Sequence, residues 1–239
     1  MTSRPARIVI PSRRLRIPAE SAPSLMRRQR STSREWASRL LDILGASVLL
    51  VACAPLLVLV ALLVAGTSRG GPLFRQVRVG RDEEPFVMYK FRTMRAGCGD
   101  EPHREYIRRV LMGSPPTVSP RGMCKFVDDP RVTRVGRVLR RCSIDELPQL
   151  FNVIRGDMAL VGPRPVLAWE AVLFKPEHRA RFHVQPGITG LWQVSGRSRL
   201  SMIQALDLDV EYVRTRSLRG DLVILLRTVP VVLRCQGAA

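Results

Sequence analysis

The longest uninterrupted apolar stretch of the chain runs from Ile43 to Ala65 without one charged side chain. Wound as an α-helix at about 1.5 Å per residue, it would reach across the roughly 30 Å hydrocarbon core of a bilayer. Pro55 stands at its middle, where it removes a backbone hydrogen bond and breaks or bends a helix. Both flanks are basic, with Arg34 and Arg39 before and Arg69, Arg75, Arg78 and Arg81 after, so the charge asymmetry of a simple span is missing. The pattern predicts a helix over 36–68 that enters a membrane, bends at Ala54-Pro55 and returns to the face it came from. Backbone groups freed at the bend must then find partners within the protein, since lipid offers none.

Beyond this run the pattern changes. Leu73 to Thr93 holds two short β-like segments, LFRQVRV and PFVMYKFRT, joined by a polar turn at Gly80-Arg81-Asp82-Glu83. A helix is predicted from Pro102 to Met112 with Tyr106, Ile107, Val110 and Leu111 inward, followed by the loop SPPTVSPRG. Ser143-Ile144-Asp145-Glu146 has the form of a capping box opening a helix whose inner face is Leu147, Leu150, Phe151 and Ile154, closed by Gly156. Val166 to Phe182 predicts two short helices broken at Pro176, and ITGLWQVSGR an extended segment closed by Gly196. Leu200 to Arg216 predicts a helix with Ile203, Leu206, Val210 and Val213 on one face. Asp221 to Leu233, interrupted by Arg227 and Pro230, is too short to span and predicts a buried or interfacial segment.

Charge narrows what such a chain can meet. Of 239 residues, 39 are basic and 20 acidic, a formal net charge of +19, and almost all the cations are arginine. Arginine-rich surfaces suit phosphate, whether on a nucleotide, an anionic membrane or a nucleic acid. Aromatic content is only 5%, low for a protein that stacks single-stranded bases, so nucleic acid is not expected as a partner. Residues 1–35 predict a basic disordered arm able to lie on anionic lipid. Five scattered cysteines with no C-x-x-C indicate neither a disulfide framework nor a zinc site and fit a reducing cytosol. His103, His178 and His183 lack metal-ligand spacing.

The chemistry concentrates in Arg140 to Pro165. Asp145 and Glu146 are adjacent carboxylates just after Arg140-Arg141, and Gly162-Pro163-Arg164-Pro165 follows one short helix later. On pattern alone the acids are a helix cap that complements the helix dipole. Placed near basic groups at a helix start, a carboxylate has its charged form favoured and can serve as a nucleophile where a phosphate docks.

Three blocks give these residues a family context. GPLFRQVRVGRDEEPFVMYKFRTM (Gly71 to Met94), SIDELPQLFNVIRGDMALVGPRP (Ser143 to Pro165) and QPGITGLWQVSGR (Gln185 to Arg197) resemble, in order, the signature blocks of the bacterial sugar transferases, monotopic phosphoglycosyl transferases. The resemblance runs from about Trp36 to Leu233. It implies an α+β, helix-rich monotopic membrane protein with a Pro-bent re-entrant helix, a short β-hairpin and interfacial amphipathic helices. The expected units are the arm over 1–35, the membrane helix over 36–68 and a cytosolic catalytic domain over 69–235. This chain looks like a minimal catalytic form, without the several-span N-terminal region of some relatives.

What the resemblance implies for function is a two-step transfer at the cytosolic face of the bacterial inner membrane. Asp145 would attack the sugar-linked phosphorus of a nucleotide diphosphate-sugar, a UDP-sugar by family expectation. The resulting phosphosugar would pass to a polyprenol phosphate, starting an exopolysaccharide-, capsule- or O-antigen-type glycan. Glu146 would handle protons or support Asp145, and Asp145 would ligate Mg²⁺. Lys90, Arg92, Thr93, Arg140, Asp157, Arg164, Gln193 and Arg197 are the residues expected at the substrates. Some positions depart from the family pattern: Ala54 where Ser often precedes the proline, Cys142 where threonine is common, Glu84 for a frequent glycine, and no tryptophan near Arg216. The competing reading is a non-catalytic basic membrane tether or scaffold in a glycan-assembly complex. Charge attraction alone requires neither the acid pair nor three ordered blocks.

Overall fold

A computed structural model describes residues 32–67, 70–95, 97, 101–111, 131–196 and 200–233. Residues 1–31 of the expected basic arm, the 114–122 loop and Arg197 lie outside the described residues, as do the side chains of His103 and Tyr106, whereas residues 32–35, expected in the disordered arm, are helical. The apolar stretch forms α1 (Thr32–Thr67), which continues through Pro55 rather than ending there. It is the one described helix long and apolar enough to cross a membrane. The two β-like segments pair as β1 (Leu73–Val79) and β2 (Pro85–Phe91), antiparallel, with Leu73 opposite Phe91 and Val79 opposite Pro85. Their tight turn is a 3-10 segment, Arg81–Glu83, closed by Gly80 N–H on the Glu84 carbonyl at 2.8 Å. The helix expected after the hairpin is α2 (Glu101–Leu111), with Ile107 buried as predicted.

Two elements had no counterpart in the sequence pattern. The first, α3 (Arg134–Arg141), is capped by Thr133, whose hydroxyl accepts the Gly136 N–H at 2.9 Å. The second is β3 (Ala159–Val161), a three-residue strand paired in parallel with β4 (Gly187–Thr189), whose Ile188 and Thr189 begin the segment expected to be extended. Here Gly162 and Gly187 pass so closely that a Cβ on Gly187 would lie 2.1 Å from the Gly162 nitrogen.

The central block differs from its predicted form. Ser143 adopts a left-handed conformation (φ 56°) and makes no side-chain cap, so the S-x-x-E sequence is not a capping box. Ile144–Glu146 is a single 3-10 turn, and α4 (Gln149–Arg155) begins separately after Pro148. Proline lacks the N–H that a continuous helix would need, which divides the two. Gly156 does close α4, at φ 93°. The inner face of α4 is Gln149, Leu150, Asn152 and Val153, whereas Phe151 and Ile154 are exposed.

The remaining chain gives α5 (Ala168–Val172), a 3-10 segment over Pro176–His183, α6 (Leu191–Ser195), α7 (Met202–Thr215) and α8 (Leu218–Leu233). The segment expected to be extended after Gly190 is therefore helical. In α7 the buried residues are Ala205, Leu206, Asp209, Val210 and Tyr212, while Ile203 is exposed. Ile224 of α8 is buried, but Leu222, Val223, Leu226 and Val229 face outward.

One core joins Ala46 of α1 to Met88, Leu150, Val153, Met158, Leu160, Tyr212 and Ile224. A second joins Val60 and Val64, at the other end of α1, to Phe91 and Leu139. Both halves of α1 thus pack on one helix-rich domain, while most of the large apolar side chains between them are exposed. A long apolar helix with so much uncovered surface, fused to such a domain, has the form of a monotopic membrane protein.

Candidate active site

The site is assembled where β2 ends and α3 begins its approach. Thr133 N–H donates to the Thr93 carbonyl at 3.0 Å, docking the start of α3 on the residue pair after β2. Gly136 lets the helix sit against that backbone: a Cβ there would lie 2.1 Å from the Thr93 oxygen. One turn later on the same helix face, Arg140 Nε donates to Thr93 Oγ1 at 2.9 Å. The left-handed Ser143 then turns the chain back, and the 3-10 turn brings Asp145 and Glu146 under the end of β2.

Glu146 is shared by two cations. Arg164 Nη2 lies 3.0 Å from Glu146 Oε1, and Lys90 Nζ lies 3.6 Å from the same oxygen. Asp145 beside it is buried, with 8% of its surface accessible, among Lys90, Arg140 and Arg164. Burial, followed by the adjacent Glu146, pushes its carboxyl above the usual aspartate range, while the three cations pull it down. The expectation that its surroundings favour the charged form is therefore corrected: low solvation outweighs the basic neighbours. Burial likewise pulls the Lys90 ammonium down to about 8. Glu146 instead raises Arg164 further, so that guanidinium remains a fixed cation.

The cradle includes a residue the sequence reading did not select. Arg78 donates to Gln76 Oε1 at 2.7 Å through Nη2 and to the Pro165 carbonyl at 3.3 Å through Nη1, with Glu170 at 3.9 Å. Burial lowers it to about 10, so it stays charged at neutral pH. The available signal was strand periodicity: Phe74, Gln76 and Arg78 pair with Lys90, Met88 and Phe86 and share Lys90's face of the hairpin.

Lys90 and Arg164 thus meet at Glu146, and Arg140 at Thr93. Arg92 is engaged elsewhere: it donates to the Gly71 and Gly70 carbonyls at 2.9 Å each and lies over the Phe74 ring. Asp157 closes the end of α4, accepting from Asn152 Nδ2 at 3.0 Å and facing Arg155 Nε at 3.6 Å. Gln193 Nε2 donates to the Ile188 carbonyl at 3.3 Å, and its buried Oε1 has no partner among the described residues. No cluster of three or more acidic, histidine or cysteine side chains suited to a metal occurs among the described residues. A carboxylate set against three cations can hold and attack a phosphate; it is a weak cage for a metal by itself.

Known proteins with similar sequences place this geometry. Over 208 residues the chain is 41% identical to the exopolysaccharide production protein ExoY of Rhizobium meliloti, covering 84% of this chain and 88% of that one. It is 43% identical over 208 residues to the UDP-glucose:undecaprenyl-phosphate glucose-1-phosphate transferase of Caulobacter vibrioides, covering 84% and 71%. With the undecaprenyl-phosphate galactose phosphotransferase of Salmonella typhimurium it shares 38% over 208 residues, covering 86% of this chain and 42% of that one. The family described as bacterial sugar transferase matches residues 33–235, nearly all of the chain beyond the basic arm. With its acid pair, cationic cradle and long apolar helix, the chain belongs to the bacterial sugar transferase family and is a transferase.

Proposed function

We propose that this protein transfers a sugar phosphate from a UDP-sugar to undecaprenyl phosphate, at the cytosolic face of the bacterial inner membrane, by way of an aspartyl intermediate. A carboxylate oxygen of Asp145 attacks the phosphorus that bears the sugar. The bond from that phosphorus to the bridging oxygen breaks, and uridine monophosphate leaves with the electron pair. A phosphate oxygen of the polyprenol carrier then attacks the same phosphorus, the acyl-phosphate bond breaks, and Asp145 returns as carboxylate. The product, a polyprenyl diphosphate-sugar, starts a glycan of the exopolysaccharide or capsule kind. The observation that supports this best is Asp145 itself, buried beside Glu146 and faced by Lys90, Arg140 and Arg164.

Phosphoryl transfer asks a protein for position and charge neutralisation. Arg164 and Arg140 supply charge that does not titrate, and Lys90 supplies one that does. Glu146, bridging Lys90 and Arg164, acts as the clasp that keeps both cations beside Asp145. Asp145 would be the protein ligand of Mg²⁺, a hard cation that takes carboxylate oxygen. Bound there, it would supply further neutralisation of the diphosphate.

Asp145→Asn is expected to abolish release of uridine monophosphate while membrane association is retained. Mass spectrometry of wild-type protein given donor alone should find a phosphosugar on Asp145. Turnover by the Asn variant at the wild-type rate would remove the mechanism.

The same reading makes α1 re-entrant, bent at Ala54-Pro55. Its support is that Arg39, Asp42 and Ala46 on one side of Pro55, and Val60 and Val64 on the other, pack on one domain. Single cysteines placed at Trp36 and Gly70 in a cysteine-free background should both be labelled by an impermeant thiol reagent from the cytosolic side only. Labelling from opposite sides would show a span instead.

A further inference from the structure

Arg164 owes its position to its backbone, and that backbone is tied at each carbonyl around it. The Pro163 oxygen accepts from Gly187 N–H at 2.9 Å, and the Val166 oxygen from Val79 N–H at 2.9 Å. The Pro165 oxygen accepts from Arg78 at 3.3 Å. The Arg164 oxygen accepts from Arg181 Nη2 at 2.5 Å, the shortest of the four. Prolines on both sides of Arg164 fix φ at those positions, so little slack is left in the loop.

Arg181 is an unusual residue to find there. Its side chain is 3% accessible, and Nη2 also pairs with Asp209 Oδ2 of α7 at 2.9 Å, itself 3% accessible. The guanidinium lies over the rings of Phe174 at 5.2 Å and Phe182 at 5.7 Å, which hold it in place. The pair is incompletely satisfied: Arg181 Nε and Asp209 Oδ1 are buried without a hydrogen-bond partner among the described residues. A buried ion pair with unmet valences is a poor source of stability, because desolvation offsets the attraction and apolar side chains of similar size do as well or better. Its effect must be sought in what it orients.

We propose that Arg181 and Asp209 are positioning residues for phosphoryl transfer, a buried strut that holds the Arg164 carbonyl and so aims its guanidinium at Glu146 and the donor diphosphate. Asp209 keeps the guanidinium charged and pointed, Arg181 hands that order to the loop, and Arg164 delivers it to the site. Neither strut residue touches the reacting atoms. The proposal rests on the aspartyl mechanism above, and the two fail separately. If wild-type protein forms no adduct on Asp145, the mechanism falls. If wild type forms it and the strut variants match wild type, only the strut falls.

The test uses the full chain in membranes or detergent, with UDP-glucose and UDP-galactose as donors, following the rate of adduct formation on Asp145. Arg181→Met combined with Asp209→Leu removes both charges together and avoids leaving one stranded. We expect an unchanged or higher Tm, a KM for donor within about twofold, and a rate of adduct formation lower by about tenfold or more, as a displaced catalytic group gives. Added to Arg164→Ala, the pair should cost no further rate, because what it positions is gone. A folded double variant with the wild-type rate, or a loss that simply multiplies that of Arg164→Ala, overturns the proposal. Should the apolar pair fail to fold, Arg181→Lys decides. Lysine can serve Asp209 or the Arg164 carbonyl but not both in the planar fork of arginine. An intermediate rate, with no added loss on Arg164→Ala, supports the strut, and the full rate refutes it.

Discussion

Lys90 shows how a single side chain carries information in two directions. It sits on the hairpin face that looks at the acid pair, 16% accessible, and burial lowers its ammonium to about 8. A depressed cation is charged below its folded value and loses charge above it. Binding of the donor diphosphate, which the charged form favours, should therefore weaken as pH rises through about 8. We expect kcat/KM for adduct formation to fall on that alkaline side, and Lys90→Arg to move the fall to higher pH because guanidinium does not titrate there. A profile that is flat between pH 7 and 9.5 in wild type would remove Lys90 from donor binding. The sign for stability is opposite. The unfolded lysine, near about 10.4, holds its proton more tightly, so this residue stabilises the fold more as pH rises from 8 toward that value.

Residue identity was the most legible layer of the site and residue role the least. Asp145, Glu146, Lys90 and Arg164 could be named because they stand inside long ordered blocks, and Arg140 because it stands just before one. The role of Ser143 could not, since a left-handed φ is a property of the turn rather than of the letter S, and it converts an apparent cap into a reversal. Arg92 and Lys90 are two residues apart in one block, yet Arg92 serves the Gly70-Gly71 carbonyls. Only the conformation of the preceding loop decides that. Arg181 and Asp209 lie outside all three blocks, and nothing in their neighbours' spacing announces a buried pair.

Among elements, those with a long period were readable and those built on close approach were not. Two seven-residue β-like segments about a polar turn gave the hairpin, and an unbroken apolar stretch gave α1. The three-residue strands β3 and β4 are too short to show a period, and they exist because Gly162 and Gly187 let two backbones touch. Helix α3 escaped notice because eight residues with four arginines look like a solvated run. Its position is what matters, and Gly136 sets it. A methyl group there would lie 2.1 Å from the Thr93 oxygen and 2.7 Å from its Cα, both backbone atoms that cannot rotate away. Gly136→Ala should therefore push α3 off β2 at a cost of about 1–3 kcal/mol, despite alanine's better helix propensity. The Arg140–Thr93 hydrogen bond should go with it, and adduct formation should slow more than that of Arg140→Ala. Unchanged Tm and rate in the alanine variant would mean that the close approach is not what places the site.

At the scale of the molecule, the long apolar helix α1 is tied to the rest of the domain by polar contacts as well as by packing. Arg39 of α1 donates to two carbonyls in the last turn of α4, that of Val153 at 2.6 Å, which also accepts the Gly156 N–H at 3.1 Å, and that of Ile154 at 2.9 Å. A cation at a helix C-terminus also opposes the dipole's negative end. One turn on, Asp42 Oδ1 accepts the Leu160 N–H of β3 at 2.8 Å. Helix α4 follows the acid pair directly, and β3 leads within four residues to Arg164, so both halves of the site hang from the same two side chains of α1. Removing them leaves the apolar stretch Ile43 to Ala65 intact, and partition into membranes should not change. Stability should, by about 1.5–3 kcal/mol for each charged hydrogen-bonding group lost. Arg39→Ala with Asp42→Ala is therefore expected to sediment with membranes as wild type does, to melt at lower temperature in detergent, and to form the Asp145 adduct more slowly at temperatures where it is still folded. If the double variant keeps the wild-type rate and Tm, the helix is an anchor and nothing more. On the function proposed above, a coupled loss would mean that the depth and tilt α1 takes in the bilayer are transmitted, through two side chains, to the place where a soluble donor and a lipid acceptor meet.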